Sequence, residues 1–544
     1  MKLVPSFLSP VPSFPNYTGP YSVGTLDVEI PTTELPSPAP APDPTLTTIS
    51  FRMFYPCEVP AKEPKPVYWI SEPQSEYLTA YLRFLGASQG LAEYASLPMK
   101  LINHITIPAF RGAELLPPPT ASKRWPVMIF SHGLGGTRNQ YSHIVGLLAS
   151  HGVVVLAPEH RDGSGPISFV GGSEGKAVEY KVISHSQSKE VEDARDEQLQ
   201  TRLWEIGLTY EALLKIDHGE RVSNIFSEGK QGQEHKEKDH FSMFSTKLDV
   251  NTPGGITFGG HSFGAATTVQ FIKSVFYCTS SASFKTLYTP SESSSIVRQV
   301  TPKSTVVLLD PWALPLRSAA MRWLWEKPLP SYCGGQGGAS VLAVLSEGFF
   351  KWRGNLVWIK RAVSEDPWRE HPPFQQRQAP PHIFYPVTSA HLSQSDFGVL
   401  FAWLVKKAIK AQEPERTMRL NCRAILEVMR RNGREVADTS AVDMEENVQK
   451  KSKISLNCRV SNKTDTEPNG HVDNLPHPKK DTVGQDWKIL AGGDLVRGWI
   501  SLNVNDEDKL GEAVNEKTPL HADPSDAVIE GEVLSGKHAD KQST

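Results

Sequence analysis

The chain has 544 residues, enough for two or three average domains or for one large α/β domain with insertions. Its 57 basic and 60 acidic side chains nearly balance, so no general attraction to nucleic acid is implied. The five cysteines, Cys57, Cys278, Cys333, Cys422 and Cys458, are scattered without C-x-x-C spacing, which speaks against a disulfide framework and against a metal site of the zinc type.

Residues 1–24 form a proline-rich extension without an apolar run long enough for a signal-peptide core. No later stretch offers ~18 uncharged apolar residues, so no transmembrane span is expected and a soluble, cytoplasmic protein is the default reading. Thr25 to Ile30 and Ile49 to Phe54 alternate apolar and polar residues, which predicts two half-buried strands, an antiparallel opening pair. Pro126 to Phe130 is a continuous apolar run of the kind a buried parallel strand needs, and Val153 to Ala157 is another. The helical stretch from about Asn139 to Ser150 lies between them and is broken by Gly152, so the three elements read as a βαβ unit. Ser188 to Lys215 carries apolar residues at helical spacing, which predicts a long amphipathic helix with its charges on the opposite face. Residues 228–240 read as a solvated charged loop and 279–304 as a Ser/Thr-rich insertion.

Thr305 to Leu309, Ser340 to Leu345 and His382 to Val387 complete the set of buried strands. Phe397 to Ile409 and Leu420 to Arg431 then read as helices, the latter stopped by Gly433. From 434 onward the composition is polar and charged and disorder is expected; a segment at 485–502 is apolar enough to dock on the body. The plan is one catalytic domain over 25–433, an α/β fold with a mostly parallel central sheet and helices on both faces.

The chemistry gathers at strand ends. Gly260-His261-Ser262-Phe263-Gly264 follows the apolar Ile256 to Phe258 and opens onto a helix, the G-x-S-x-G pattern of a nucleophile elbow. Gly260 and Gly264 are what the sharp turn demands, because a Cβ two residues either side of the serine would crowd the backbone. Asp310 and His391 each follow an apolar strand, and the order nucleophile, acid, base is that of α/β-hydrolases. Glu347 also follows such a strand and competes with Asp310 for the role of acid. Ser131-His132-Gly133-Leu134-Gly135-Gly136 supplies a glycine-rich loop after an earlier strand. Leu134 and Phe263 are the expected backbone N–H donors to an oxyanion. The loop lacks the Lys-Ser/Thr of a P-loop, so nucleotide binding is not expected.

These residues, with Ala-Ser-His-Gly (149–152), Glu-His-Arg-Asp (159–162), Ile-Asp-His-Gly (216–219), Leu-Asp-Pro-Trp-Ala-Leu-Pro-Leu (309–316), Ser-Glu-Gly-Phe-Phe (346–350) and Ala-His-Leu-Ser-Gln-Ser-Asp-Phe (390–397), resemble the serine-dependent platelet-activating factor acetylhydrolases. The resemblance runs from about Thr25 to Gly433. It implies an α/β-hydrolase domain with no metal and no cofactor, Asp310 as the acid in a Leu-Asp-x-Trp context, and backbone donors at Leu134 and Phe263. It also implies phospholipid substrates with a short or oxidised second acyl chain. The absence of the secretory signal of blood-borne members points to an intracellular form, and 485–493 resembles a terminal segment of the family. Two other readings stand beside this one: a general carboxylesterase or polyester hydrolase, and a non-catalytic lipid-binding protein of the same fold. Trp312, Trp323 and Trp325, just past the acid, read either as buried core or lid packing or as a lipid interface at the mouth of the site.

Overall fold

A computed structural model describes residues 11–61, 65–87, 100–226, 240–281, 286–367, 378–444 and 486–504. The loop expected at 228–240, His240 excepted, and most of the expected tail lie outside the described residues. Fourteen strands are formed among those described. The first seven are β1 (Ser22–Pro31), β2 (Thr48–Cys57), β3 (Val67–Tyr68), β4 (Thr106–Ile107), β5 (Phe110–Arg111), β6 (Val127–Ser131) and β7 (Val154–Glu159). The rest are β8 (Ile167–Val170), β9 (Lys176–Glu179), β10 (Thr257–His261), β11 (Thr305–Leu309), β12 (Val341–Val344), β13 (His382–Pro386) and β14 (Trp499–Leu502).

Ten of them share one sheet in the order β14-β13-β12-β11-β10-β6-β7-β2-β1-β5. The run from β7 to β13 is parallel throughout. β1 and β2 form the expected antiparallel pair, and β2 joins β7 antiparallel. The parallel strands are buried on both faces, which is why they read as unbroken apolar runs. Side chains alternate between two cores: Ile129, Leu308 and Ala343 enter one, Met128, Phe130, Leu309 and Val344 the other. Helices Lys189–His218 and Phe263–Phe276 contribute to the first core, and helices Ser142–Ser150 and Pro414–Arg431 to the second. This is the α/β-hydrolase arrangement. From β6 the chain runs outward to β7 and then returns to place β10 on the other side of β6. The crevice between β6 and β10 is therefore a topological switch point, where open α/β sheets place their ligands.

Several boundaries differ from the sequence reading, each for a physical reason. The long helix spans Lys189–His218, with the Ser188 side chain accepting from the Val191 amide and Gly219 closing it at φ 70°. It is not amphipathic. Arg195, Arg202, Glu205 and Asp217 are buried along with its apolar residues, because each finds a charged or polar partner inside. The proline-rich start packs on the body from residue 11: the Tyr17 hydroxyl donates to the Ser142 carbonyl (3.0 Å) and the Tyr21 amide to the Ser150 carbonyl (3.0 Å). Residues 434–444 also dock, the Ala437 amide reaching the His151 carbonyl at 2.8 Å. The expected helix 397–409 is two, Asp396–Leu400 and Ala402–Ile409. The insertion at 279–304 contains a packed helix, Ser295–Gln299, with Ile296 fully buried. The segment at 485–502 does return: β14 pairs antiparallel with β13, and the Trp499 indole donates to the Ile489 carbonyl at 2.8 Å.

Candidate active site

Ser262 is the single residue between β10 and the helix Phe263–Phe276, at φ 56° and ψ −117°. That is a strained region for any L-residue other than glycine. The strain is tolerated because the turn is held from both sides, the Ser262 amide donating to Leu309 O (2.8 Å) and its carbonyl accepting from the Trp312 amide (3.2 Å). Gly260 and Gly264 are required by close approach: a Cβ on Gly264 would overlap the Ser131 carbonyl, and one on Gly260 the Gly264 carbonyl.

Asp310 follows β11 and is fully buried, with φ 40°. One carboxylate oxygen accepts the Ser346 amide; the other lies 2.9 Å from His391 Nδ1. Ser346 caps the short helix Glu347–Lys351, its hydroxyl accepting the Phe349 amide at 3.3 Å. That helix lays the Phe349 ring against His391, centroids 4.5 Å apart and planes 6° apart. The His261 ring also stacks on His391, at 4.3 Å and 30°. His261, Asp310 and His391 bring nitrogen and carboxylate atoms within 4.8 Å of one another. Ser262, Asp310 and His391 are thus gathered at one place from three strand ends. Glu347 is engaged elsewhere: its oxygens take the Thr388 amide and Lys351 Nζ (2.5 Å). It braces the loop leading to His391, and Lys351 and the Thr388 amide hold its carboxyl below the usual glutamate range against the opposing effect of burial.

The β6 loop faces the elbow. Among its amides, Gly133 donates to the Tyr141 hydroxyl (3.1 Å), Gly135 to Ser164 O (2.8 Å) and Gly136 to Gly133 O (3.1 Å). The Leu134 amide has no partner among the described residues. Phe263 opens its helix, so its amide has no intrahelical acceptor. Neither amide expected to meet an oxyanion has a recorded backbone acceptor among the described residues.

A buried polar network underlies that loop. Arg202 donates to Asp162 (2.7 Å), to the Ser164 hydroxyl (2.5 Å) and to the His132 carbonyl (2.8 Å), and its guanidinium lies 4.2 Å over the Phe263 ring. Beside it Ser131 Oγ meets His160 Nε2 at 2.8 Å, and His160 Nδ1 meets Glu205 at 2.9 Å. Burial, with Arg202 nearby, pushes both His132, to about 3, and His160 well below the ordinary imidazole value. Burial pushes Glu205 up to about 8. Asp396, five residues past His391, receives the Trp69 indole (2.9 Å) and the amides of Ser142 (2.8 Å) and His143 (2.9 Å). It caps a helix start from a distant part of the chain and ties the base loop to the second core.

The lipid-interface expectation for Trp312 and Trp325 is corrected. Both indoles are buried: Trp312 lies under the Arg195 guanidinium at 5.0 Å and edge-on to Phe263 at 5.9 Å, and Trp325 lies beneath Lys273 at 5.2 Å. Their faces offset only part of the cost of burying those cations, and Trp323 is half-buried. An exposed apolar pair lies elsewhere, Trp403 (68 % exposed) and Leu404 on the helix Ala402–Ile409, beside exposed Lys406 and Lys407. Sequence reasoning also left His261, Tyr141, Phe349 and Arg202 without roles. His261 lay in view as the second residue of the elbow pattern, but nothing in spacing reveals ring stacking.

A family model described as "Platelet-activating factor acetylhydrolase, isoform II" matches residues 8–452. The chain belongs to this family. A Schizosaccharomyces pombe protein named "Putative phospholipase A2" is 29 % identical over 452 residues, covering 77 % of this chain and 92 % of that one. The Bos taurus "Platelet-activating factor acetylhydrolase" is 30 % identical over 265 residues, 47 % of this chain and 51 % of its own length. The alignment thus spans about half of that relative. Among solved structures, a ferulic acid esterase from Streptomyces cinnamoneus aligns over 77 % of this chain and 92 % of its own, at 14 % identity and a TM-score of 0.41. Family membership places the chain among carboxylic ester hydrolases. No helix among the described residues is long and apolar enough to cross a membrane.

Proposed function

We propose that the protein is a serine esterase that hydrolyses the short or oxidised sn-2 acyl ester of glycerophospholipids, such as platelet-activating factor, through an acyl-enzyme on Ser262. One observation carries the reading: His391 Nδ1 sits 2.9 Å from a fully buried Asp310 beside a serine on a strained strand-to-helix turn. A serine hydroxyl is a weak nucleophile until a base takes its proton. With Nδ1 donating to Asp310, the His391 ring presents Nε2 as the acceptor for the Ser262 proton. As Ser262 Oγ bonds the acyl carbon, the carbonyl oxygen becomes an oxyanion, held by the Leu134 and Phe263 amides. His391 then returns the proton to the leaving lyso-lipid oxygen, activates water by the same route and releases the short acid.

The phospholipid class comes from the family and its named relatives. Peripheral contact with a lipid surface is supported by Trp403 and Leu404 beside lysines, on the second helix after the His391 loop. The test is a panel of phosphatidylcholines differing only in the second acyl chain, run with wild type and Ser262→Ala. Short or oxidised chains should be cleaved preferentially and the variant should lose ~10⁶-fold in turnover. Equal rates on long-chain lipids and on a simple aryl ester would overturn the substrate assignment. Undiminished turnover by the variant would overturn the mechanism.

A further inference from the structure

Two buried groups beside the site take no part in the steps above. Tyr141 and His261 are 5 % and 3 % exposed. The Gly133 amide donates to the Tyr141 hydroxyl oxygen at 3.1 Å, and that oxygen lies 2.8 Å from His261 Nδ1. Gly133 precedes Leu134 in the oxyanion loop, and a Cβ on Gly133 would stand 3.0 Å from Ser262 Cβ. His261 precedes Ser262 and stacks face to face on His391 at 4.3 Å. Its Nε2 is turned to the His391 main chain without a bond of ordinary geometry.

We infer that Tyr141 and His261 form a positioning relay that couples the oxyanion loop to the plane of the general base. The inference rests on the Ser262–His391 reading above.

The proton assignment follows from donor counting. The Gly133 amide can only donate, so the Tyr141 oxygen accepts there. Its one proton has a single recorded acceptor, His261 Nδ1, which leaves the His261 proton on Nε2. The ring stays neutral, since burial and the adjacent His391 hold it well below the ordinary imidazole value. Neutrality matters to the reaction. His391 becomes cationic when it takes the serine proton, and a second charge at 4.3 Å would oppose that step. With Phe349 on its other face at 4.5 Å, the base moves between two flat uncharged walls. A shift of the Gly133 amide is transmitted through one hydroxyl to the ring that sets the base plane. Misplacement by about 1 Å costs about 10²-fold in such sites.

The test is a cycle of Tyr141→Phe, His261→Phe and the double variant. Both single changes keep a flat ring in place and remove the same hydrogen bond. Rates on a soluble short-acyl ester are expressed per Ser262 labelled by a fluorophosphonate, so misfolded protein does not count. Each single variant should lose roughly 10- to 100-fold in kcat, with KM within about threefold. The double variant should lose no more than about threefold beyond either single, because one link can be broken only once. In wild type, ¹⁵N-histidine spectra should show His261 as the neutral Nε2–H tautomer between pH 5.5 and 8, a readout that needs no variant to fold. Kcat per labelled serine within twofold of wild type, a loss confined to KM, multiplicative losses in the double variant, or an Nδ1–H tautomer would each overturn the relay. Failure of wild type to label at Ser262 would instead overturn the reading beneath it.

Discussion

Lys273 lies on the elbow helix and is 1 % exposed, with Nζ donating to the Trp325 carbonyl (3.2 Å) above the Trp325 ring. No carboxylate pairs with it among the recorded ion pairs of the described residues, and burial pushes its pKa from the ordinary 10.5 down to about 7. The consequence for stability has a definite sign. Above pH 10.5 the amine is neutral folded or unfolded and has no effect. As pH falls toward 7 the unfolded chain takes up a proton that the folded one refuses, so stability drops. At about 1.4 kcal/mol per pH unit the loss approaches roughly 5 kcal/mol at neutral pH. Lys273→Met keeps the stem volume and removes the titrating group, while forfeiting one hydrogen bond of about 1 kcal/mol. The variant should therefore be more stable than wild type by roughly 3 kcal/mol at pH 7. The gain should shrink to nearly nothing by about pH 9.5. Urea midpoints at the two pH values, followed by fluorescence, measure it, with soluble-ester activity as the check on the native site. A variant no more stable than wild type at pH 7, or a gain that does not change with pH, would refute the reasoning.

Gly264→Ala forces a methyl group into the Ser131 carbonyl; it should abolish fluorophosphonate labelling of Ser262, and a normally labelled variant would count against the elbow geometry. Phe349→Ala removes one wall from His391 and should lower kcat about tenfold with little change in KM, read on the same soluble ester. Trp403→Ala with Leu404→Ala strips the exposed apolar pair; turnover on phosphatidylcholine vesicles should fall several-fold while soluble-ester turnover stays within twofold. Equal loss on both substrates would mean that the pair serves folding instead. Trp499→Ala, at a site 1 % exposed whose indole is hydrogen-bonded and stacked on Phe384 at 5.1 Å, should cost about 3–5 kcal/mol and lower the melting temperature without moving KM.

The parallel strands were legible because burial on both faces turns a strand into an unbroken apolar run, as in Val127 to Phe130 and Thr305 to Leu309. The strand ends then located Ser262, Asp310 and His391. Position favoured Asp310 over Glu347 without deciding between them, since both end apolar strands; the resemblance decided for Asp310. The structure separates them by what each carboxylate touches: His391 in one case, Thr388 and Lys351 in the other. The helix Lys189–His218 misled for a related reason. Charge is read as solvent exposure in a sequence, but Arg202 and Glu205 are buried because Asp162 and His160 meet them from a distant loop. Trp312 and Trp325 misled likewise: an indole is as useful beneath a buried Arg195 or Lys273 as against a lipid.

Those buried charges share a location, and the location explains them. Unpaired, each would be expensive to desolvate, and replacing such pairs with apolar side chains commonly leaves a protein more stable. Arg202 is instead aimed at the parts that must not move, the His132 carbonyl two residues before Leu134 and the ring of Phe263. Its partners Asp162 and Ser164 hold the Gly135 amide through the Ser164 carbonyl. Ser131, at the foot of the same loop, is held by His160 and Glu205. Hydrophobic packing cannot fix the direction of an amide, because it has no directional component. Hydrogen bonds with both partners buried can, and an oxyanion site works only when its donors are aimed before charge develops. The polar core between the long helix and the β6 loop is therefore best understood as a device for orientation, with stability supplied by the two apolar cores on either side of the sheet.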